Sequence, residues 1–146
     1  MYIDDISNDI GKMDIGCKFG FLRVSIIAYA DDIVLLANNK DNLGLIYEEF
    51  KTKIELRKLI INKNKSKCMV FRRGRQTCNE RHITLGSDSL EMVNNYKYLG
   101  HFIESNLTDA TDIQVRLNSF YSKFNYVFRN FKDISMDVFF FIQFLL

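Results

Sequence analysis

The chain has 146 residues, of which 47% are hydrophobic, 14% aromatic and 26% charged. This composition excludes a disordered chain and provides for one domain with a core, or for part of a larger one. The net charge is only +2, but the first 38 residues carry six acidic and three basic side chains and the rest twelve acidic and seventeen basic ones, which suits a polyanionic partner.

The cysteines and the C-terminal segment bear on location and contacts. Cys17, Cys68 and Cys78 lie far apart and show no metal-site spacing to either histidine, so we expect a reduced intracellular protein, nuclear or cytoplasmic. No signal peptide is recognisable at the start. The apolar segment 138–146 is shorter than the roughly 20 residues that span a bilayer, so we expect no membrane partner. Because residues 134–146 are strongly apolar, they are a candidate surface for self-association.

The most informative stretch lies early in the chain, after a helix end or irregular segment predicted for residues 1–10. Two apolar runs rich in β-branched residues predict strands near 21–29 and 33–37, with Asp31 and Asp32 at the tip of the turn between them. A turn can bring both carboxylates toward one side. Because such a pair is costly without a positive charge between its members, it favours a divalent cation, and hard oxygen ligands suit Mg²⁺. From the pair alone, an ordinary solvated turn is the alternative.

The next element is a predicted amphipathic helix near 41–58. Asn38, Asn39 and Asp41 supply N-cap chemistry before it. Its apolar residues recur at helical spacing and would lie on a sheet: Leu43, Ile46, Tyr47, Phe50 and Ile54. Its charged residues would face water: Glu48, Glu49, Lys51 and Glu55. We interpret it as a packing helix without a chemical role of its own.

A basic segment follows this helix. Residues 57–81 hold nine basic side chains and one acidic side chain, with a strand predicted near 67–71. Such a run is often only a solvated face, but beside a carboxylate turn it also suits a phosphate-facing surface. The candidate contacts to a nucleic-acid backbone are Lys63, Lys67, Arg72 and Arg73.

The remaining elements are a hairpin, a strand and a helix. Residues 83–93 predict a small hairpin, and alternation predicts a strand near 96–103. A long amphipathic helix is predicted near 109–132, with Thr108 or Asp109 as its cap. It carries an apolar stripe that we interpret as core rather than as a binding surface.

Three blocks, in this order, resemble the reverse transcriptase family. Residues 29–32, Tyr-Ala-Asp-Asp between two apolar strands, closely resemble the catalytic hairpin of these enzymes, and most of all that of non-LTR, LINE-type retrotransposons. Residues 62–67 match a second block by spacing, although Lys58 replaces a family glycine and tolerates a positive φ poorly. Residues 98–100, Tyr-Leu-Gly, are similar to the primer-grip block. The resemblance covers residues 1–133.

The resemblance implies an α+β fold. A partial polymerase palm over residues 1–104, made of an antiparallel sheet with the catalytic hairpin and a packing helix, would precede the start of a helical thumb over residues 105–146. The resemblance also implies that Asp31 and Asp32 are catalytic and hold Mg²⁺, that Lys65 gives a proton to the leaving pyrophosphate, and that an RNA template and a DNA primer are the partners. The residues that would position the primer end are Tyr98, Leu99 and Gly100.

The family also needs an aspartate on an earlier palm strand and a fingers region that holds the incoming nucleotide. We identify neither in this sequence. We therefore expect a fragment of the enzyme that is inactive alone. A non-catalytic nucleic-acid-binding module derived from the enzyme is the alternative.

Overall fold

The computed structural model describes residues 2–72 and 80–131. The described residues form three helices and nine short strands, and this mixed architecture confirms the predicted α+β class. The helices are α1 (Tyr2–Gly11), α2 (Lys40–Leu56) and α3 (Ala110–Phe131). The strands are β1 (Cys17–Phe19), β2 (Leu22–Val24), β3 (Ile26–Tyr29), β4 (Asp32–Leu35), β5 (Lys67–Cys68), β6 (His82–Leu85), β7 (Asp88–Met92), β8 (Asn95–Tyr98) and β9 (His101–Glu104). None of the described helices is long and apolar enough to cross a membrane.

The chain divides into two compact units. Of the described residues, the first unit contains 2–70 and 80–94, and the second contains 71–72 and 95–131. The first unit therefore holds α1, α2 and strands β1 to β7, and the second holds β8, β9 and α3. The division into a palm part and a thumb part after residue 104 stays a prediction.

Four antiparallel strand pairs are hairpins with two-residue turns: β1–β2, β3–β4, β6–β7 and β8–β9. In three of these turns only the first turn residue has a positive φ, the pattern of a type II′ turn: Gly20 at 60°, Ala30 at 53° and Gly86 at 57°. In the fourth turn both residues do, Leu99 at 47° and Gly100 at 85°, as in a type I′ turn. Both turn types match the twist of paired strands, which allows such short strands to close into hairpins.

The prediction of a single strand near 21–29 is wrong in one respect, because the chain there forms two strands, β2 and β3, separated by Ser25. Ser25 is buried, and its hydroxyl donates to the carbonyl oxygen of Ile10 at 3.3 Å. Its own carbonyl oxygen accepts from the amide of Leu36 at 2.9 Å. These contacts connect the end of α1 to the segment after β4, and they separate β2 from β3.

Two other predicted strands also differ from the structure. The strand predicted near 96–103 is divided into β8 and β9 by the type I′ turn. The strand predicted near 67–71 contains only Lys67 and Cys68, and it pairs in parallel with β7, with Lys67 opposite Glu91. The sheet with strand order β5-β7-β6 is therefore mixed rather than antiparallel.

Helix α2 is the element against which most of the core packs. It begins as predicted, since Oδ1 of Asn39 accepts from the amide of Asn42 at 2.8 Å. One apolar cluster joins α1 to α2: Ile6, Ile10, Ile46, Phe50 and Ile54. A second cluster joins α2 to the β5-β7-β6 sheet: Tyr47, Cys68, Ile83, Leu85 and Leu90. Leu35 and Ile61 pack against both clusters, so that the strand after the carboxylate turn and the segment before the basic turn share one core.

The end of α2 has a backbone geometry that favours glycine, although a lysine occupies it. The amide of Lys58 donates to the carbonyl oxygen of Glu55 at 2.9 Å, and the amide of Leu59 donates to that of Ile54 at 3.1 Å. These are the two hydrogen bonds of a Schellman motif. Lys58 has a φ of 59°, so the turn that glycine would favour forms here in spite of the strain on a residue with a side chain.

Replacing Lys58 by glycine should stabilise the protein by about 0.5–1 kcal/mol, because the left-handed strain removed exceeds the entropy that glycine adds to the unfolded chain. Urea unfolding followed by far-UV circular dichroism measures the change. Lys58→Ala is the matched control, since alanine removes the same charge and keeps the strain. A gain in Lys58→Ala as large as that in Lys58→Gly would contradict this explanation.

In the second unit, Glu104 satisfies an amide at the start of α3. Its Oε1 accepts from the amide of Thr111 at 2.9 Å, and its Oε2 accepts from the hydroxyl of Thr108 at 2.7 Å. Hydrogen bonds from the side chains of Thr111 and Thr108, followed by that from the Thr111 amide, lower the pKa of Glu104 to about 2. Thr108 or Asp109 was the predicted cap of this helix. The Thr111 amide instead donates to a carboxylate from β9, that of Glu104.

A second carboxylate ties α3 to the same hairpin. Oδ1 of Asp112 accepts from the amide of Phe102 at 2.9 Å, and its Oδ2 accepts from Nε of Arg116 at 2.8 Å. The Arg116 guanidinium, followed by the Phe102 amide, lowers the pKa of Asp112 to about 2. The first turn of α3 is thus attached to β9 by two ionised carboxylates.

Acid should release this attachment. Glu104 and Asp112 both have a folded-state pKa of about 2, below their ordinary values of about 4, so the stability they contribute is complete above pH about 5 and is lost as the pH falls toward 2. The amide resonances of Thr111 and Phe102, which donate to these carboxylates, should titrate over this range in NMR spectra. In Glu104→Gln the Thr111 amide should stop titrating while the Phe102 amide continues. If the Thr111 and Phe102 amides both titrated near pH 4, the two carboxylates would have their ordinary pKa values and would not be held by these hydrogen bonds.

The apolar stripe of α3 was predicted to be core, and this is wrong for the part of the helix that the structure describes. None of these residues is buried. The rings of Phe120, Phe124 and Phe128 stack along the helix, with centroids 6.2 Å apart at each step. The segment 134–146, predicted as a self-association surface, lies outside the described residues.

Candidate functional site

The β3–β4 hairpin carries the two adjacent carboxylates at its tip, as predicted. Tyr29 pairs with Asp32, which leaves Ala30 and Asp31 as the two turn residues. Asp31 therefore lies within the turn, and Asp32 is the first residue of β4. Both aspartates are exposed, so both carboxylates are accessible to a ligand from solvent.

The two faces of this hairpin have different surroundings. Ile26, Ile33 and Leu35 pack against the cluster that joins α1 to α2. Ile27 and Tyr29, whose positions alternate with these, are 47% and 63% exposed. The strand register places Asp32 on the same face as Ile27 and Tyr29. The core thus anchors one face and leaves the face that carries Asp32 open.

Asp31 and Asp32 fit part of a magnesium site. Their carboxylate oxygens are hard ligands of the kind that Mg²⁺ prefers. Within residues 2–72 and 80–131, no group of three or more His, Cys, Asp or Glu side chains could hold a metal ion. The two carboxylates would therefore hold the ion together with water or with oxygens of a bound substrate.

The basic turn after α2 is organised by Asn62. Its Oδ1 accepts from the amide of Lys65 at 3.2 Å, and its carbonyl oxygen accepts from the amide and the hydroxyl of Ser66, both at 2.9 Å. Asn62 and Ser66 are two of the residues that match the second family block, and their hydrogen bonds explain why this spacing forms a turn. Lys65 is exposed within it.

The lysines on either side of Lys65 in sequence are engaged in ion pairs within the first unit. Nζ of Lys63 binds Oδ1 of Asp88, and Nζ of Lys67 binds Oε2 of Glu91 at 2.6 Å. The Lys67 ammonium lowers the pKa of Glu91. Two of the predicted phosphate contacts therefore already have carboxylate partners on β7.

Asp88 is a member of this site that sequence reasoning missed. Its side chain is 4% exposed, and it accepts hydrogen bonds from the hydroxyl of Tyr47 at 2.9 Å and from Nζ of Lys51 at 2.8 Å, in addition to Lys63. The Lys51 ammonium, followed by that of Lys63, holds the pKa of Asp88 well below its usual range. Lys51, predicted to face water, is only 18% exposed. Strand alternation in the sequence could have indicated the burial of Asp88, because it places Asp88 on the same inward face as Leu90.

The second unit carries the remaining candidate residues. Tyr98 ends β8, and Leu99 and Gly100 form the type I′ turn after it. The hydroxyl oxygen of Tyr98 is buried and has no hydrogen-bond partner among the described residues. Arg72 is exposed, and its amide donates to the carbonyl oxygen of Ser105 at 3.0 Å. Arg73 lies outside the described residues.

The comparison with protein families decides the assignment. A family model described as reverse transcriptase (RNA-dependent DNA polymerase) matches residues 1–103, well over half of the chain. The chain belongs to the reverse transcriptase family. No curated protein and no solved structure matches it significantly. Membership of the reverse transcriptase family implies nucleic-acid substrates, and Mg²⁺ in the full enzymes.

Titration of this reverse transcriptase chain with Mg²⁺ should reveal a weak site, with a Kd on the order of 1 mM, because two carboxylates leave most of the coordination sphere to water. NMR shifts of the Ala30 and Asp31 amides would report it. Replacing both Asp31 and Asp32 by asparagine should abolish the response.

The matched control is the exposed pair Asp4 and Asp5 on α1. Replacing both by asparagine removes the same charge from the same unit and should leave the titration unchanged. Sub-micromolar binding by the native chain would mean that further ligands complete the site. Loss of binding in the Asp4 and Asp5 variant would move the site away from the hairpin.

Proposed function

We propose that this chain forms the later part of the palm and the start of the thumb in the reverse transcriptase of a non-LTR, LINE-type retrotransposon. In the full enzyme it would contribute to RNA-templated DNA synthesis, with an RNA template and a DNA primer as partners. The observation that carries the proposal is the anchored β3–β4 hairpin with Asp31 and Asp32 at its exposed tip. The family match over residues 1–103 supports it.

Six residues of the three matched blocks have a proposed part in nucleotidyl transfer. Asp31 is the direct metal ligand, and Asp32 is its adjacent partner. Bound Mg²⁺ supplies activation of the primer 3′ hydroxyl and stabilisation of charge on the triphosphate. Lys65 gives a proton to the leaving pyrophosphate, and the turn formed by Leu99 and Gly100 positions the primer end together with Tyr98.

The hairpin is suited to this part because its backbone is positioned before any ligand binds. Ile26 and Ile33 hold one face of it on the core, and the two-residue turn restricts the backbone of Asp31. Displacement by attack in line with the leaving group requires reacting atoms to be held within a fraction of an ångström. A carboxylate pair on an anchored turn meets this requirement better than one on a long loop.

The second candidate function is nucleic-acid binding without catalysis. One observation in its favour is the basic character of α3, which carries three basic side chains and one acidic side chain: Arg116, Lys123, Arg129 and Asp112. The other is that the hairpin tip presents only two carboxylates. Both proposals expect the chain to contact a phosphate backbone. They differ in whether the chain takes part in primer extension when the rest of the polymerase is present.

The chain alone should bind a labelled primer–template with an affinity that falls steeply with salt and should extend no primer. Each phosphate contact releases condensed counterions, with a logarithmic slope of about −0.7 to −0.9 per contact. Extension should be absent because two adjacent carboxylates do not provide a complete two-metal site. Fluorescence anisotropy across a salt series and a gel extension assay with Mg²⁺ and nucleotides test both parts on one sample.

Asp31→Ala separates the outcomes. It should leave the salt-dependent binding unchanged, because the exposed carboxylate is not a phosphate contact. Extension by the native chain that disappears in Asp31→Ala would show that the chain is a catalyst by itself. Binding that is insensitive to salt would contradict the proposed backbone contact.

A further inference from the structure

Strand β7 places two carboxylates beside the basic turn. The parallel register of β5 and β7 sets Lys67 directly opposite Glu91, and their side chains form an ion pair of 2.6 Å. Asp88 is the first residue of the same strand, and it forms an ion pair with Lys63, which lies in the turn itself. The two lysines that flank the exposed Lys65 in sequence are thus each paired with a carboxylate from one strand.

The Asp88 pair is held by burial as well as by charge. An ionised carboxylate away from water is costly unless hydrogen bonds compensate it. Asp88 is 4% exposed and receives donors from Tyr47 and Lys51 on α2 and from Lys63 on the turn. Losing Lys63 to an outside anion would leave this buried charge with fewer partners, so the pair resists exchange.

The Glu91 pair is held mainly by geometry. Its two members are neighbours across the strand pair, and the Lys67 side chain is 24% exposed while that of Glu91 is 53% exposed. Opposite charges on neighbouring strands attract one another across the pair. A phosphate group that approached Lys67 would have to displace Glu91, so its binding to Lys67 would be weaker than binding to an unpaired lysine.

We propose that Asp88 and Glu91 are internal counterions that withhold Lys63 and Lys67 from phosphate groups. The basic segment then offers fewer contacts to a polyanion than its number of lysines suggests. This inference rests on the proposed function in so far as the polyanion is a nucleic acid. It predicts that neutralising one of these carboxylates adds a phosphate contact, whereas a mutation that only disturbs the fold would remove contacts.

Glu91→Gln is the cleaner test, because Glu91 is exposed and the buried Asp88 group remains intact. With a labelled single-stranded oligonucleotide, the logarithmic salt slope of binding should become steeper by about 0.7, the value for one additional contact to a single strand. The matched control is Glu80→Gln, which removes the same charge from an exposed residue just before β6 and leaves both ion pairs in place.

A double variant identifies the lysine that is released. Adding Lys67→Ala to Glu91→Gln should return the slope to the value of the native chain. Equal slopes for Glu91→Gln and Glu80→Gln would overturn the inference. It would also be overturned if the double variant kept the steeper slope, because the added contact would then not come from Lys67.

Asp88→Asn applies the same test to the buried pair, after circular dichroism has shown that the variant is folded. Its slope should steepen as that of Glu91→Gln does. If Asp88→Asn unfolds, the Glu91 series alone decides the inference.

A second polyanion separates this inference from the proposed function. Long-chain inorganic polyphosphate carries phosphate charge without bases or sugars. If no variant binds the oligonucleotide but Glu91→Gln binds polyphosphate with a steeper slope than Glu80→Gln, the proposed function fails and the internal counterions stand. If Glu91→Gln and Glu80→Gln behave alike with both polyanions, the inference fails, whatever the native chain binds.

Discussion

Helix α2 packs against apolar side chains on two sides, and the positions of the matched blocks in the first unit depend on this packing. On one side its residues join α1 and the β3–β4 hairpin, and on the other they join the β5-β7-β6 sheet. Leu35 and Ile61 contact both clusters. The carboxylate turn and the basic turn are therefore supported by one continuous core, so that a change in α2 would move both.

The electrostatics of the first unit follow from the same arrangement. Because α2 brings Tyr47 and Lys51 against the start of β7, Asp88 can be buried and still be ionised. That buried charge then engages Lys63, a residue of the basic turn. The charge available to a polyanion thus depends on which lysines the fold pairs internally, and not only on how many the chain contains.

Backbone strain occurs in or shortly before each of the three blocks that resemble reverse transcriptases. Ala30 in the carboxylate turn, Lys58 before the basic turn and Leu99 in the Tyr-Leu-Gly turn each have a positive φ. Such residues cost on the order of 1–3 kcal/mol each and persist only where the surrounding structure imposes them. Here the strand pairing on both sides of Ala30 and Leu99 and the hydrogen bonds at the end of α2 impose them.

The sequence alone determined the features that depend on neighbouring residues. Period-two apolar runs around Asp31 and Asp32 predicted the hairpin, Asn39 predicted the start of α2, and the order of three short blocks indicated the family. These signals are local, because turns, caps and helix faces are set within a few residues.

Only the tertiary structure decided the partners of the charged residues and the extent of burial. Asp88 bonds to Tyr47, 41 residues away, and to Lys63, 25 residues away, and no local pattern identifies such pairs. Ser25 interrupts a strand because it meets Ile10 at the end of α1. The stripe of α3 has the spacing of a core helix, yet burial also requires a second surface, and none of the described residues of α3 is buried. Amphipathic spacing shows which face of a helix can be buried, and only contacts distant in sequence decide whether it is.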